Sequence, residues 1–285
     1  MRFEEIVDAI IYNELRIFDI DPISTEEFDW FIKLLKGNTS LQVIKFTHNQ
    51  LDDTRIFELV EALKNNQLEE ALKDKQTLTE LDLSYHNLSN TGVKYIANLL
   101  KTNSSLQVIK LTHNRLNDAC VFELVEALKN NQQIIELDLS YNNISSIGTK
   151  YIADLLKINS SLTIINLGHN NIGNFGLDSL LEALKTNRTL KSINLDNDKM
   201  ISSSIPNFIN RLLQENSKIS VITLENTLLE SQLKQQECLM RSKAEDTLAK
   251  NQVPLQNFLT KNSIFIRQPG PLYQPTDRRR YVPPV

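Results

Sequence analysis

Two cysteines in 285 residues, Cys120 and Cys238, lie far apart and without CxxC spacing. That scarcity excludes a disulfide framework and a thiolate metal site, and it fits a reducing compartment. Basic charge is not in excess either. There are 31 Lys and Arg against 35 Asp and Glu, a formal net charge of −4, whereas a general nucleic-acid binder would carry a strongly basic face. No run of about 18 apolar residues occurs, so no membrane-spanning helix is expected. The opening MRFEEIVDAIIYNELRIF holds three Glu and one Asp, and no basic stretch precedes an apolar core. A secretory leader would look different. Proline is sparse until QPGPLYQPTDRRRYVPPV, which has five of the eight. What remains is 41% hydrophobic and 23% charged, enough for one large domain or a stack of small units. A cytoplasmic chain with neither membrane nor nucleic-acid partner is expected.

What is present is repetition. LQVIKFTHNQL at 41–51 returns as LQVIKLTHNRL at 106–116. Aligned on Leu-x-x-Leu-x-Leu, units start at Leu41, Leu78, Leu106, Ile134, Leu162, Leu190 and Ile219, with spacings of 37, 28, 28, 28, 28 and 29 residues. A degenerate unit begins near Asn13, and residues 2–12 echo the helical half of a still earlier one. Units alternate in type: LTELDLSYHNLSNTGVKYIANLLKTNSS at 78–105 reappears as IIELDLSYNNISSIGTKYIADLLKINSS at 134–161. The chain therefore grew by duplicating a two-unit block of 56 residues, and nine residues within QLEEALKDKQ were added to one copy. This insertion is expected to extend one helix over about 56–74.

Each unit has two periods. IIELDLS alternates apolar and polar residues, as in a short strand buried on one face. GTKYIADLLKIN places Ile152, Leu155 and Leu156 three and four apart, as on an amphipathic helix. Gly92, Gly148 and Gly176 recur where the chain enters that helix. One strand and one helix cannot bury both apolar sides, so the units must stack as a solenoid. Between the halves Asn49, Asn114, Asn142 and Asn170 recur, and their carboxamides suit the unpaired backbone of a turn. His86 holds that inward position in one unit, where a neutral ring bonded to the backbone is expected. Asp21, Asp198 and Thr227 replace the Asn nearer the ends.

The pattern LxxLxLxxNxL followed by GxxxLxxxL in 28 residues resembles the ribonuclease-inhibitor class of leucine-rich repeats over about residues 13–245. The resemblance implies an α/β horseshoe of about eight units, starting near 13, 41, 78, 106, 134, 162, 190 and 219, with parallel strands on the concave face and helices on the convex one. A capping helix is expected at 1–12, repeats at 13–227, a helical cap at 228–262 and a flexible Pro/Arg-rich tail at 263–285. The family's members are mostly protein-binding surfaces.

Two columns stand out on the expected concave side. Lys45, Asp82, Lys110, Asp138, Asn166 and Asn194 alternate in charge, which would satisfy itself across strands or read a complementary partner. His48, Tyr85, His113, Tyr141, His169 and Asn197 form a ring-rich column of about 19 Å at the usual strand spacing. Its rings either stack on one another or centre a protein contact. Equivalent His residues lie two strands apart, too far to share one metal ion. No catalytic residue, cofactor or metal is expected. The candidate protein-binding residues are His48, Tyr85, His113, Tyr141, His169, Lys45 and Lys110. The leading expectation is a monomeric, non-enzymatic interaction scaffold for a protein partner. Asn-, Lys- and Ile-rich wording and near-identical repeats extend it to a bacterial effector acting in a eukaryotic host cytosol. Two alternatives come from resemblance alone: an actin-binding regulator similar to the tropomodulins, and a GTPase-activating protein using Arg115.

Overall fold

The computed structural model describes residues 16–19, 22–36, 38, 40–49, 51–68, 78–195, 211 and 221–223. The expected caps at 1–12 and 228–262, the tail at 263–285, Asn197, and the inserted residues from 69 onward lie outside this set. Eight three-residue strands form one parallel sheet in chain order: β1 (Ile17–Asp19), β2 (Val43–Lys45), β3 (Glu80–Asp82), β4 (Val108–Lys110), β5 (Glu136–Asp138), β6 (Ile164–Asn166), β7 (Ser192–Asn194) and β8 (Val221–Thr223). Between them run α1 (Thr25–Leu35), α2 (Asp53–Leu68), α3 (Asn90–Thr102), α4 (Asp118–Leu128), α5 (Ser146–Leu156) and α6 (Gly173–Leu184). This is the expected solenoid. The helix that carries the insertion, α2, runs sixteen residues against eleven in α4 and α5. It starts at Asp53, three residues before the expected point.

The core follows the two periods. The middle residue of each strand from Phe18 through Ile44, Leu81, Ile109, Leu137 and Ile165 to Ile193 is buried, and so is the apolar residue two positions on, from Phe46 to Leu195. Helices add one stripe each, such as Val93, Ile96, Ala97 and Leu100 on α3. At the first described units Phe18, Phe28, Phe31 and Phe46 replace aliphatic residues, with ring centroids 3.9–5.5 Å apart.

Polar clamps link one unit to the next. The carboxylate of Asp118, in the first turn of α4, accepts from the Ser145 backbone N–H at 2.8 Å and its hydroxyl at 2.5 Å. Ser145 in turn caps α5. Asp53 takes the Ser89 hydroxyl in the same way two units earlier. These clamps explain two of the three recurrent glycines, Gly92 and Gly148. A Cβ on Gly148 would lie 2.5 Å from Asp118 Oδ1 and 2.8 Å from Ile144 Cγ2, and one on Gly92 would lie 2.6 Å from Asp53 Oδ1. Gly148→Ala should therefore destabilise the fold by about 1–3 kcal/mol despite alanine's better helix propensity. A urea midpoint equal to or above that of the natural chain would contradict this.

Candidate functional site

Two asparagine ladders, not one, thread the described units. In the expected ladder, Asn142 Oδ1 accepts from the backbone N–H groups of Asn114 (3.0 Å) and Leu116 (2.9 Å), while its Nδ2 donates to the carbonyls of Leu111, Leu139 and Ser140. Asn114 and Asn170 repeat the arrangement. The second ladder lies where each helix returns to the sheet. Asn103, Asn131, Asn159 and Asn187 are buried. The last three send Nδ2 back to the carbonyls of Leu100, Leu128 and Leu156, and each Oδ1 accepts the N–H two residues before the next strand, from Ile134, Leu162 and Leu190.

His86 holds its place in the first ladder. Its Nδ1 accepts the Leu51 N–H at 3.1 Å, and its Nε2 is buried without a hydrogen-bond partner. Burial holds its pKa down to about 4, opposed by the Phe46 carbonyl and assisted by nearby His48.

The ring column is displaced from the expected strand surface. Each ring residue stands three positions past its strand: His48 after β2, Tyr85 after β3, His113 after β4, Tyr141 after β5 and His169 after β6. There the chain turns towards the helices, so the column runs along the rim where strands end. All five adopt left-handed backbone, with φ between 54° and 66°. The parallel ladder continues through these turns: Tyr85, His113 and Tyr141 N–H groups donate to Thr112, Ser140 and Gly168 carbonyls at 2.9–3.2 Å. Successive ring centroids lie 4.0, 4.2, 4.0 and 3.7 Å apart with interplanar angles of 12–23°. The rings thus lean closer than the strand spacing of about 4.8 Å. Their faces cover one another, and their edges point outward; Tyr85 and Tyr141 remain 39% and 43% exposed. Beside them lies a groove of about 820 Å³, lined also by Leu51, Asp52, Asp53 and the exposed Arg115.

Burial lowers the pKa of His113, with help from His169 and His48 and against Asp138. Burial, then Asp82, raises that of Tyr85. The charged row has the expected register, Lys45 beside Asp82 beside Lys110 beside Asp138, and Asn166 Nδ2 donates along it to Asp138 Oδ2 at 3.0 Å, but its other bonds run elsewhere. Lys110 Nζ reaches Glu80 Oε1, one row away, at 2.6 Å. Asp82 and Asp138 instead clamp their own turns, accepting from the backbone and hydroxyl of Ser84 and of Ser140. Burial raises the Asp82 pKa despite the Ser84 bonds. For Lys110, burial works downward and the Glu80 bond outweighs it, leaving the pKa raised.

A parallel sheet built one strand per 28-residue unit, with helices outside and an asparagine ladder within, defines a leucine-rich-repeat protein. The leucine-rich-repeat family model matches residues 74–97, 130–153 and 159–181. No curated protein sequence matches the chain. Among solved structures, actin-binding site 2 of leiomodin-1 is similar at 20% identity and a TM-score of 0.42, covering 63% of this chain and 95% of its own. The tropomodulin C-terminal domain of Caenorhabditis elegans is similar at 13% and 0.47, covering 56% and 92%. The leucine-rich-repeat protein LegL7 of Legionella pneumophila is similar at 17% and 0.41, covering 74% of each chain.

Proposed function

We propose that this chain is a non-enzymatic scaffold that grips a partner protein along the ring column. One observation carries the reading. At five turns whose left-handed backbone costs a bulky side chain roughly 1–2 kcal/mol, and where Gly or Asn would sit with less strain, the chain keeps Tyr or His. The fold gains stacking from those rings, but their exposed edges with hydroxyls and ring nitrogens are what a partner meets. Tyrosine edges of this kind are frequent anchors of protein interfaces. Lys45, Lys110 and Arg115 flank the strip.

Affinity capture from eukaryotic lysate tests it, using the natural chain and a Tyr85→Asn, His113→Asn, Tyr141→Asn variant. Asn tolerates left-handed backbone, so the variant should fold, and circular dichroism checks that. The expected result is a retained protein whose recovery falls at least ten-fold in the variant. Equal recovery would sink the reading. Co-sedimentation with filamentous actin separates the cytoskeletal alternative, which requires pelleting.

The cytoplasmic, host-directed role is part of the same proposal and is supported by sequence style alone, the Asn-, Lys- and Ile-rich wording and the near-identical repeats. A translocation reporter fused to the chain should appear in host cytosol; a signal confined to the bacterium would refute that part.

A further inference from the structure

The middle residue of each strand enters the core, so the first and third stand on the opposite, concave side of the sheet. The first row runs Val43, Glu80, Val108, Glu136 and Ile164 across β2 to β6, apolar and acidic by turns. The third runs Lys45, Asp82, Lys110, Asp138 and Asn166 over the same strands. Asp19 on β1 stands in register with Lys45. From β1 to β5 the two rows therefore hold five carboxylates against two ammoniums, an excess of three negative charges.

The excess is concentrated at the centre of the sheet. Lys110 stands among Glu80, Asp82, Glu136 and Asp138, and its hydrogen bond goes to Glu80. Asp138 accepts from Ser140 and Asn166, neither of them charged. Burial raises the Asp82 pKa although Ser84 and Lys110 both act against it. Glu136 makes no ion pair among the described residues. Charge of one sign held on a rigid sheet repels itself, and a cation laid over it relieves that repulsion. Between the carboxylates, Val108 and the exposed Ile164 offer apolar surface.

Adjacent cations occur at one place in the sequence, Arg278, Arg279 and Arg280, and YVPPV follows them. We propose that this segment of the chain's own sequence, RRRYVPPV at 278–285, docks on the concave face of β3 to β6. Its arginines meet Asp82, Glu136 and Asp138, and Tyr281 and Val282 meet Val108 and Ile164. The chemistries match on both counts. A guanidinium pairs with a carboxylate through two parallel bonds and sheds water more readily than an ammonium. Pro283 and Pro284 have no N–H to leave unpaired on a face that offers side chains and no strand edge. The carboxylates of β3 and β5 lie two strand steps apart, about 10 Å, which three residues of extended chain cover. Reach is no obstacle. From Thr223, at the end of β8, to Arg278 is 55 residues, about 80 Å even if wound wholly into helix. From β8 back to β4 is about 19 Å at the usual strand spacing. This face is separate from the rim that carries the rings, and the proposal does not depend on their role.

Two measurements on the full chain decide it. In an Arg278→Glu, Arg279→Glu, Arg280→Glu variant, the methyl resonances of Val108 and Ile164 should move in nuclear magnetic resonance spectra. Those of Ile147 and Ile158, exposed on the helical side, should stay in place, and circular dichroism checks that the repeats remain folded. Unmoved Val108 and Ile164, or equal movement at Ile147 and Ile158, overturns the proposal. Trypsin should cut after these arginines at least five-fold faster in a Glu136→Lys variant than in the natural chain. The difference should close in about 1 M salt, where the Debye length is about 3 Å. Equal rates at low salt mean that the carboxylates do not hold the segment, and the proposal fails. Protection that is unchanged on ten-fold dilution supports docking within one chain. Protection lost on dilution places the arginines on a second copy and overturns the assignment to the chain's own face.

Discussion

Acidifying the protein from pH 6.5 to pH 4 should remove about 3 kcal/mol of stability through His86 alone. The sign follows from which state binds the proton. In the unfolded chain this imidazole titrates near 6.5, whereas burial holds it near 4 in the fold. Between those values the unfolded state carries more protons, so stability falls as pH falls. Above 6.5 the group contributes no slope, and below 4 none further. The structural cause is local. Nδ1 must keep its lone pair to accept the Leu51 N–H, and a proton there would set donor against donor inside the core. Carboxylates add slopes of their own at low pH, so the decisive comparison is with His86→Asn. A carboxamide accepts the Leu51 N–H at any pH, and its Nδ2 replaces the unpartnered Nε2. That variant should be about 1 kcal/mol more stable at pH 7 and about 4 kcal/mol more stable at pH 4. Urea midpoints at pH 7, 5.5 and 4.5 measure the gap. A constant gap would show that His86 stays unprotonated in both states or is hydrated in the fold.

The stack was legible because each unit repeats its own physics. Leucines at fixed spacing mark which side chains are inside, and the 28-residue period marks who their neighbours are. The sequence also placed the rings in one column. It could not place that column on the rim, because LxLxx reads as continued alternation while the strands stop after three residues. Left-handed backbone at a Tyr or His has no sequence signature, since propensity would assign such turns to Gly or Asn. The second ladder was missed for a different reason. Asn103, Asn131, Asn159 and Asn187 sit in NSS, NNQ and NRT runs that look like solvated loop. Their fixed register was visible; only burial showed that it mattered. The recurrent glycines had no evident cause in the sequence; at Gly92 and Gly148 it is the carboxylate of the preceding unit, and at Gly176 the side chains of Ile172 and Thr149.

Asn142→Ala should cost about 4 kcal/mol, because it orphans two buried N–H donors, those of Asn114 and Leu116, at roughly 1–3 kcal/mol each. The carbonyls of Leu111 and Leu139 lose a donor as well. No water reaches these groups in the intact stack, since Asn114 and Leu116 are fully buried. The neighbouring Asn143→Ala removes an exposed side chain of the same kind and should stay within about 0.5 kcal/mol. Asn142→Asp separates the two halves of the effect: it keeps an acceptor for the N–H groups but withdraws the donor from the carbonyls. In a solenoid each unit is held only by its neighbours, and Asn142 joins the turns after β4 and β5, at the middle of the ring column. The loss should therefore fall on one interface. Urea unfolding of Asn142→Ala should be less cooperative, with amide exchange accelerated in residues 106–145 ahead of the rest. Uniform acceleration along the chain would mean that the units fold as a single block, and the ring column would then owe its order to the whole stack instead of to this rung.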